Sequence, residues 1–147
     1  MKDQHSVFQV GEVYHRRKDL HDIYGGNRQS GIASCADYPY VFLFSAPTGE
    51  EFGYQDGWVS PDDYVYTGEG QHGDMDLRRG NRSILDHQEN GKQLHLFELR
   101  KAGEYTYLGE FEFRSYEYVR GKDALDHDRQ IIRFHLTPIA RAASDNR

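Results

Sequence analysis

The sequence predicts an α+β fold that is mainly β, a twisted mixed barrel of short strands with one or two short flanking helices. Three observations carry this. Apolar runs of strand length recur along the second half of the chain, while only two stretches carry helical signals. The 147 residues include 11 Tyr and 8 Phe, side chains that suit half-buried sheets. Gly, at 15, outnumbers Pro, at 4, so the elements are separated by many turns.

Arg16 to Tyr24 places Leu20, Ile23 and Tyr24 on one side of a short helix, which Gly25 and Gly26 end. After the loop GGNRQSGIAS, the run from Tyr38 to Ser45 reads as a buried strand bounded by Pro39 and by PTGEE. Asp62 to Gly70 reads as another, with Tyr64 and Tyr66 on one face and Val65 on the other. Asn81 is the predicted cap of a helix from about Arg82 to Glu89, closed by Gly91. Strands are then expected over Gln93 to Arg100, Tyr105 to Val119 and Gln130 to Ile139. The middle one is too long to run straight and should bend near Gly109. Gly121 to Asp128 is the loop between the last two. Barrel closure would protect the edges of so many short strands. Residues 1–139 are expected to form one domain, and residues 140–147 a frayed tail or the start of a linker.

Hydrophobic residues are 37 % and charged residues 29 %, the balance of a globular chain. No signal peptide or membrane-spanning stretch is visible, so a soluble cytoplasmic protein is expected, with no membrane partner. Cys35 is the single cysteine, which excludes an intramolecular disulfide and a cysteine-rich zinc cluster. A buried, unreactive thiol is its expected state. The net charge of −6, from 24 acidic and 18 basic residues, argues by itself against nucleic acid. Its distribution argues the other way. Seven carboxylates and no Lys or Arg lie between Asp37 and Gly70, flanked by Arg16, Arg17, Lys18 and Arg28 before and Arg78, Arg79 and Arg82 after. A basic rim around an acidic centre fits that pattern.

Tyr54 in GYQDG and Tyr66 in YTGEG each neighbour glycines that permit close backbone approach. Two facing rings could hold a planar heterocycle, and Asp56 could accept from the N4 amino group of cytosine. The same residues also read as two core tyrosines and a turn aspartate. HGDMD sets His72, Asp74 and Asp76 at alternate positions, a pattern that would gather metal ligands on a strand. The glycine favours a loop instead, and no complete ligand set follows from His127 or His135. No nucleophile elbow, phosphate loop or dinucleotide fingerprint is present.

The segment from Gly53 to Ser83, GYQDGWVSPDDYVYTGEGQHGDMDLRRGNRS, resembles the signature region of the SRA (SET- and RING-associated) family. Its members look like a GGYxDD turn, a YTGxGG strand end and a glycine-asparagine basic segment. The matching residues are Gly53, Tyr54, Asp56 and Gly57; Tyr66, Thr67, Gly68 and Gly70; and Gly80, Asn81 and Arg82. The HRRKDLHDIYGG opening and the GEGQHGDMDLRRGN run resemble the SRA-like modules of prokaryotic modification-dependent restriction endonucleases. Two departures stand out: Gly57 replaces the second acid of the turn, and Gln71 replaces a glycine.

The resemblance implies an SRA/PUA-like barrel that recognises 5-methylcytosine or 5-hydroxymethylcytosine in duplex DNA by base flipping, with little dependence on flanking sequence. It implies stacking by Tyr54 and Tyr66, a pocket completed by Thr67, Gly53, Gly57 and Gly68, and edge reading by Asp56. Arg28 or Gln29 would enter one groove, and Asn81 and Arg82 the other. Arg16, Arg17, Lys18, Arg78 and Arg79 would meet phosphates. No cofactor or metal is implied. The module would be the non-catalytic sensor of a defence nuclease, with an HNH domain in cis and a homodimer formed through the full-length protein. An RNA-binding or small-ligand barrel, and a small metal-dependent enzyme, are the rival readings.

Overall fold

The structure, a computed structural model, describes residues 7–46 and 55–139. Gly53, Tyr54 and the tail at 140–147 lie outside the described residues.

The elements run β1 (Val13–His15), a π-helical turn (Arg16–His21) continuing into α1 (Asp22–Tyr24), β2 (Ile32–Ser34), β3 (Tyr40–Ser45), β4 (Gly57–Ser60), β5 (Asp63–Thr67), α2 (Arg79–Leu85), β6 (Gln93–Lys101), β7 (Glu104–Lys122) and β8 (Asp128–Pro138). They form an eight-stranded sheet ordered β2-β3-β6-β7-β8-β5-β4, with β1 added to β7. The pairing is antiparallel except between β3 and β6.

β3 explains its own continuous apolar run. Val41 and Leu43 face a core cluster shared with Tyr64, Tyr66, Ile84, Phe111 and Phe134. Phe42 and Phe44 face a second cluster with Phe8, Leu20, Phe97 and Tyr107. A strand buried on both sides loses its alternation, as parallel strands commonly do. β7 bends where the sequence predicts. Gly109 has φ of +130°, and the β6–β7 register slips between Leu96/Gly109 and Phe97/Tyr107. The slip leaves an extra residue on β7, a bulge that curls the sheet.

The curl does not become a closed hydrogen-bonded barrel: among the described residues the two ends of the sheet, β2 and β4, are not paired with each other. Side chains join the opposed walls instead. The Tyr66 hydroxyl on β5 lies 2.9 Å from the Gly31 carbonyl before β2 and 3.1 Å from the Phe44 carbonyl on β3.

The helices differ from expectation. The first begins as a π-helical turn, in which Leu20 and His21 are buried while Ile23 is 56 % exposed. His15 caps it, its Nδ1 accepting from Lys18 N at 3.2 Å, while Asp19 Oδ2 accepts from His15 N at 2.7 Å. α2 starts at Arg79 rather than Arg82, and Arg78, not Asn81, occupies the N-cap position without a side-chain cap bond. Asn81 sits inside the helix because its amide has other partners, described below. The Gly121–Asp128 loop is tighter than expected, since β7 and β8 pair as far as Lys122 and Asp128. Among the described residues no helix is long and apolar enough to cross a membrane.

Candidate functional site

Asp56 precedes the edge strand β4, and the turn into β5 sets it beside Thr67, eleven residues on. Its Oδ1 accepts from Thr67 N at 2.7 Å, and its Oδ2 accepts from the Ser45 hydroxyl at 2.8 Å. Behind Ser45 the contacts continue inward. The Ser45 hydroxyl is 2.9 Å from that of Tyr64, which donates to Glu98 at 2.9 Å. The Asp56 carboxylate is therefore fixed by one backbone and one side-chain donor, and each oxygen retains acceptor capacity. Thr67 Oγ1, next to it, is buried and has no hydrogen-bond partner among the described residues. Such an atom in a native fold calls for an explanation.

Tyr66, the residue before Thr67, is 3 % exposed and belongs to the core. Burial, with the nearby Asp56 and Glu69 carboxylates, raises its pKa well above the ordinary phenol value, so its hydroxyl stays a donor. The sequence pattern thus brings Asp56, Tyr66 and Thr67 together, while Gly53 and Tyr54 lie outside the described residues. Gly57 opens β4 with nothing within 4 Å of where a Cβ would stand. Within GYQDG, Asp56 is the one carboxylate in the sequence.

Gly68 and Asn81 lock the rim on the other side. Asn81 is buried. Its Oδ1 accepts from Glu69 N at 2.8 Å, and its Nδ2 donates to the carbonyls of Glu69 at 3.1 Å and Asp76 at 2.9 Å. A Cβ on Gly68 would stand 2.8 Å from that Oδ1, closer than real Cβ atoms approach, so only glycine fits. Asn81 is turned inward as a brace and is not at a groove-facing tip. Arg82 is exposed and pairs with Asp86 at 2.5 Å. Arg78 is exposed beside Asp76 at 3.5 Å. Arg79 heads α2 with φ of +49°.

On the opposite side the loop Asn27–Gly31 carries Arg28 and Gln29, both exposed. Arg28 pairs with Asp22 at 2.9 Å. Asn27 Oδ1 accepts from both Gln29 N and Ser30 N at 2.8 Å, a local turn that shapes the loop. Arg17 and Lys18 are exposed on the π-helical turn, whereas Arg16 is half-buried, its guanidinium 3.8 Å above the Phe44 ring.

Several contributors carried no signal of their own in the sequence. Ser45 ends a buried strand, and Arg133, opposite Thr67 on β8, donates to the Gln55 carbonyl at 3.3 Å. Arg129 is 1 % exposed and donates to the carbonyls of Gly70 at 2.7 Å, Gly73 at 3.1 Å and Lys122 at 3.2 Å. The HGDMD segment is a loop in this region. Asp74 accepts from Gln130 N at 2.6 Å, and among the described residues no three His, Cys, Asp or Glu gather to hold a metal. Cys35 is buried, and desolvation pushes its thiol up to about 11.

The chain matches the family described as ScoMcrA-like, SRA domain, over residues 10–146. Among curated proteins no relative is found. One similar solved structure is the sulfur binding domain and SRA domain of ScoMcrA complexed with phosphorothioated DNA. It has a TM-score of 0.71 and 25 % identity, over 89 % of this chain and 40 % of that one. The Type IV phosphorothioation-dependent restriction endonuclease ScoMcrA gives the same score and identity, and this chain spans 28 % of its length. The SRA domain of SUVH5 in complex with hemimethylated CG DNA shares the fold at a TM-score of 0.67. Its identity is 23 %, over 91 % of this chain and 90 % of that one.

Proposed function

Because the chain belongs to the ScoMcrA-like SRA domain family, we propose that it reads a modified cytosine in duplex DNA by taking the base out of the stack. The observation that carries this is the anchored Asp56 carboxylate beside the unpartnered buried hydroxyl of Thr67, next along β5 from the buried Tyr66. Cytosine offers an N4–H donor to a carboxylate, which only accepts. Tyr66 adds stacking, and Tyr54 is the second ring. Tyr66 is nearly covered in the free protein, so binding must uncover its ring, and that cost adds to the few kcal/mol of extrusion. Gly68 and Gly57 keep the walls low, the part that the family pattern also gives to Gly53. Arg28 or Gln29 fills the gap from one groove and Arg82 from the other, with Arg17, Lys18, Arg78 and Arg79 on phosphates.

In this reading a 5-methyl group adds roughly 0.8 kcal/mol when buried. Discrimination between methyl and hydroxymethyl therefore rests on shape around Thr67. The domain binds and does not cut. It serves as the sensor of a modification-dependent restriction nuclease in a prokaryotic cytoplasm, joined in cis to an HNH domain and dimerising through the full-length protein. Support for that context is the similarity to ScoMcrA, a restriction endonuclease of which this chain spans 28 %.

The test is a titration of matched duplexes differing at one cytosine, unmodified, methylated or hydroxymethylated, with a phosphorothioate duplex and a single strand alongside. Asp56→Asn is the control, since Tyr66→Ala would remove a core ring at about 3–5 kcal/mol. A preference for modified cytosine that Asp56→Asn abolishes supports the reading. Equal binding to every duplex, or preference for the single strand or for phosphorothioate alone, overturns it.

A further inference from the structure

Arg16 belongs to a basic triplet and is predicted to meet phosphate, yet its guanidinium is already engaged. Nε donates to His21 Nε2 at 2.8 Å, while Nη2 donates to the carbonyls of Asn27 at 3.1 Å and Ser30 at 2.6 Å. Its plane rests on Phe44, 3.8 Å from the ring centroid. His21 passes the restraint on, its Nδ1–H donating to the Gly25 carbonyl at 2.8 Å, which leaves Nε2 as the acceptor for Arg16. Both ends of the Arg28–Gln29 tip are thereby tied to the Arg16–His21 pair, and the next carbonyl, Gly31, meets the Tyr66 hydroxyl at 2.9 Å.

The π-helical turn makes this pairing available. In an α-helix, residues five apart point about 140° away from each other. The wider turn, with its five-residue hydrogen bonds, brings Arg16 and His21 to one side. We propose that Arg16 and His21 are positioning residues that hold the Asn27–Gly31 loop in its DNA-reading geometry, and that Arg16 does not itself contact phosphate. The proposal rests on the reading that this loop enters a groove.

The clamp works only with His21 neutral. Burial lowers its pKa, against the opposing hydrogen bond to Gly25, and Arg16 and Arg28 lower it further while Asp22 raises it. The Phe42 and Phe44 rings of β3 pack on the imidazole and supply no charge. A second proton would remove the acceptor that Arg16 uses.

The experiment uses the whole chain as wild type, Arg16→Lys, Arg16→Gln, Asn27→Ala and His21→Gln. Asn27 is exposed, so its variant cannot fail through the core. Affinity for the preferred modified duplex is measured over a series of salt concentrations. Positioning predicts about tenfold weaker binding for Arg16→Lys and for Asn27→Ala, with the slope of log K against log salt unchanged. A phosphate contact predicts a retained affinity for Arg16→Lys, or a slope shallower by about 0.9 for Arg16→Gln, and either overturns the proposal.

Amide exchange at Gln29 and Ser30 in the free protein supplies a readout that needs no DNA. Protection, corrected for the intrinsic pH dependence of exchange, should fall at least tenfold in Arg16→Lys, and in wild type but not in His21→Gln once the pH passes below the depressed folded pKa of His21. Unchanged exchange overturns the clamp. Normal exchange effects with no modification-dependent binding by wild type overturn the DNA reading instead, so the two failures are separable.

Discussion

Arg16 and Arg129 each aim a guanidinium at the carbonyl oxygens of a loop, but their surroundings differ. Arg129 is buried beneath the Gly70–Gly73 loop, where desolvation lowers its pKa and the Asp123 and Asp74 carboxylates only partly oppose that. Asp123 ties the same loop to the β7–β8 turn, accepting from Gly73 N at 3.0 Å and from Leu125 N and His127 N at 2.9 Å. Arg16 has a neutral imidazole, the Tyr105 hydroxyl and a ring face instead. A charge balanced by carboxylates makes a permanent joint, and a charge balanced by a neutral base makes one that a proton can release.

The largest effect expected from this contrast is in Arg129→Met. Three carbonyls lose their donor and Asp123 and Asp74 lose a nearby positive charge, so stability should fall by on the order of 3 kcal/mol. Arg16→Gln should cost less, about 1 kcal/mol, because its carbonyl partners lie nearer solvent. Equal losses would remove the distinction between the two sides.

The pH dependence of stability sharpens the contrast. The folded His21 pKa is depressed, so below about 6.5 the unfolded chain takes up a proton that the folded one refuses, and stability falls until folded His21 titrates too. His135 has the opposite sign. Burial works against its charge, but Asp63 at 2.9 Å and Glu117 at 3.0 Å outweigh it and raise its pKa. Its contribution is complete below the unfolded value and is lost as pH rises through the folded one. Denaturation midpoints of His21→Gln and His135→Gln should therefore diverge from wild type on opposite sides of neutrality. Asp123, held well below the usual carboxylate range by the Gly73, His127 and Leu125 amides, keeps its contribution at neutral pH. That contribution is lost only as acidification passes through its depressed folded value, and Asp123→Asn should flatten this acid limb. The smallest stability effect is expected for Arg78→Ala, which breaks an exposed ion pair with Asp76, with no resolvable change in midpoint, yet a shallower salt dependence of DNA binding.

The sequence was informative where one physical signal dominates. β3, β6 and β8 follow from their apolar runs, and Gly109 marks the bend of β7 because only a bulge relieves so long a strand. β1, β2 and β4 are 3, 3 and 4 residues long, too short for a period to register. Asn81 misled because its capping chemistry is used on Glu69 and Asp76, contacts made by folding rather than by local sequence. The Asp56–Tyr66–Thr67 grouping was legible because glycine turns and family spacing surround it. Ser45 and Gly31 arrive from other strands, and a buried Arg129 looks in sequence like any surface cation.

The most direct test of the account is fluorescence of 2-aminopurine placed beside a modified cytosine in a duplex, measured during titration with wild type and Asp56→Asn. Extrusion of the cytosine into the Asp56–Thr67–Tyr66 corner unstacks the probe. Its emission should rise with wild-type saturation and stay flat with the variant. Tight, modification-dependent binding with no rise for wild type would contradict base flipping into this site.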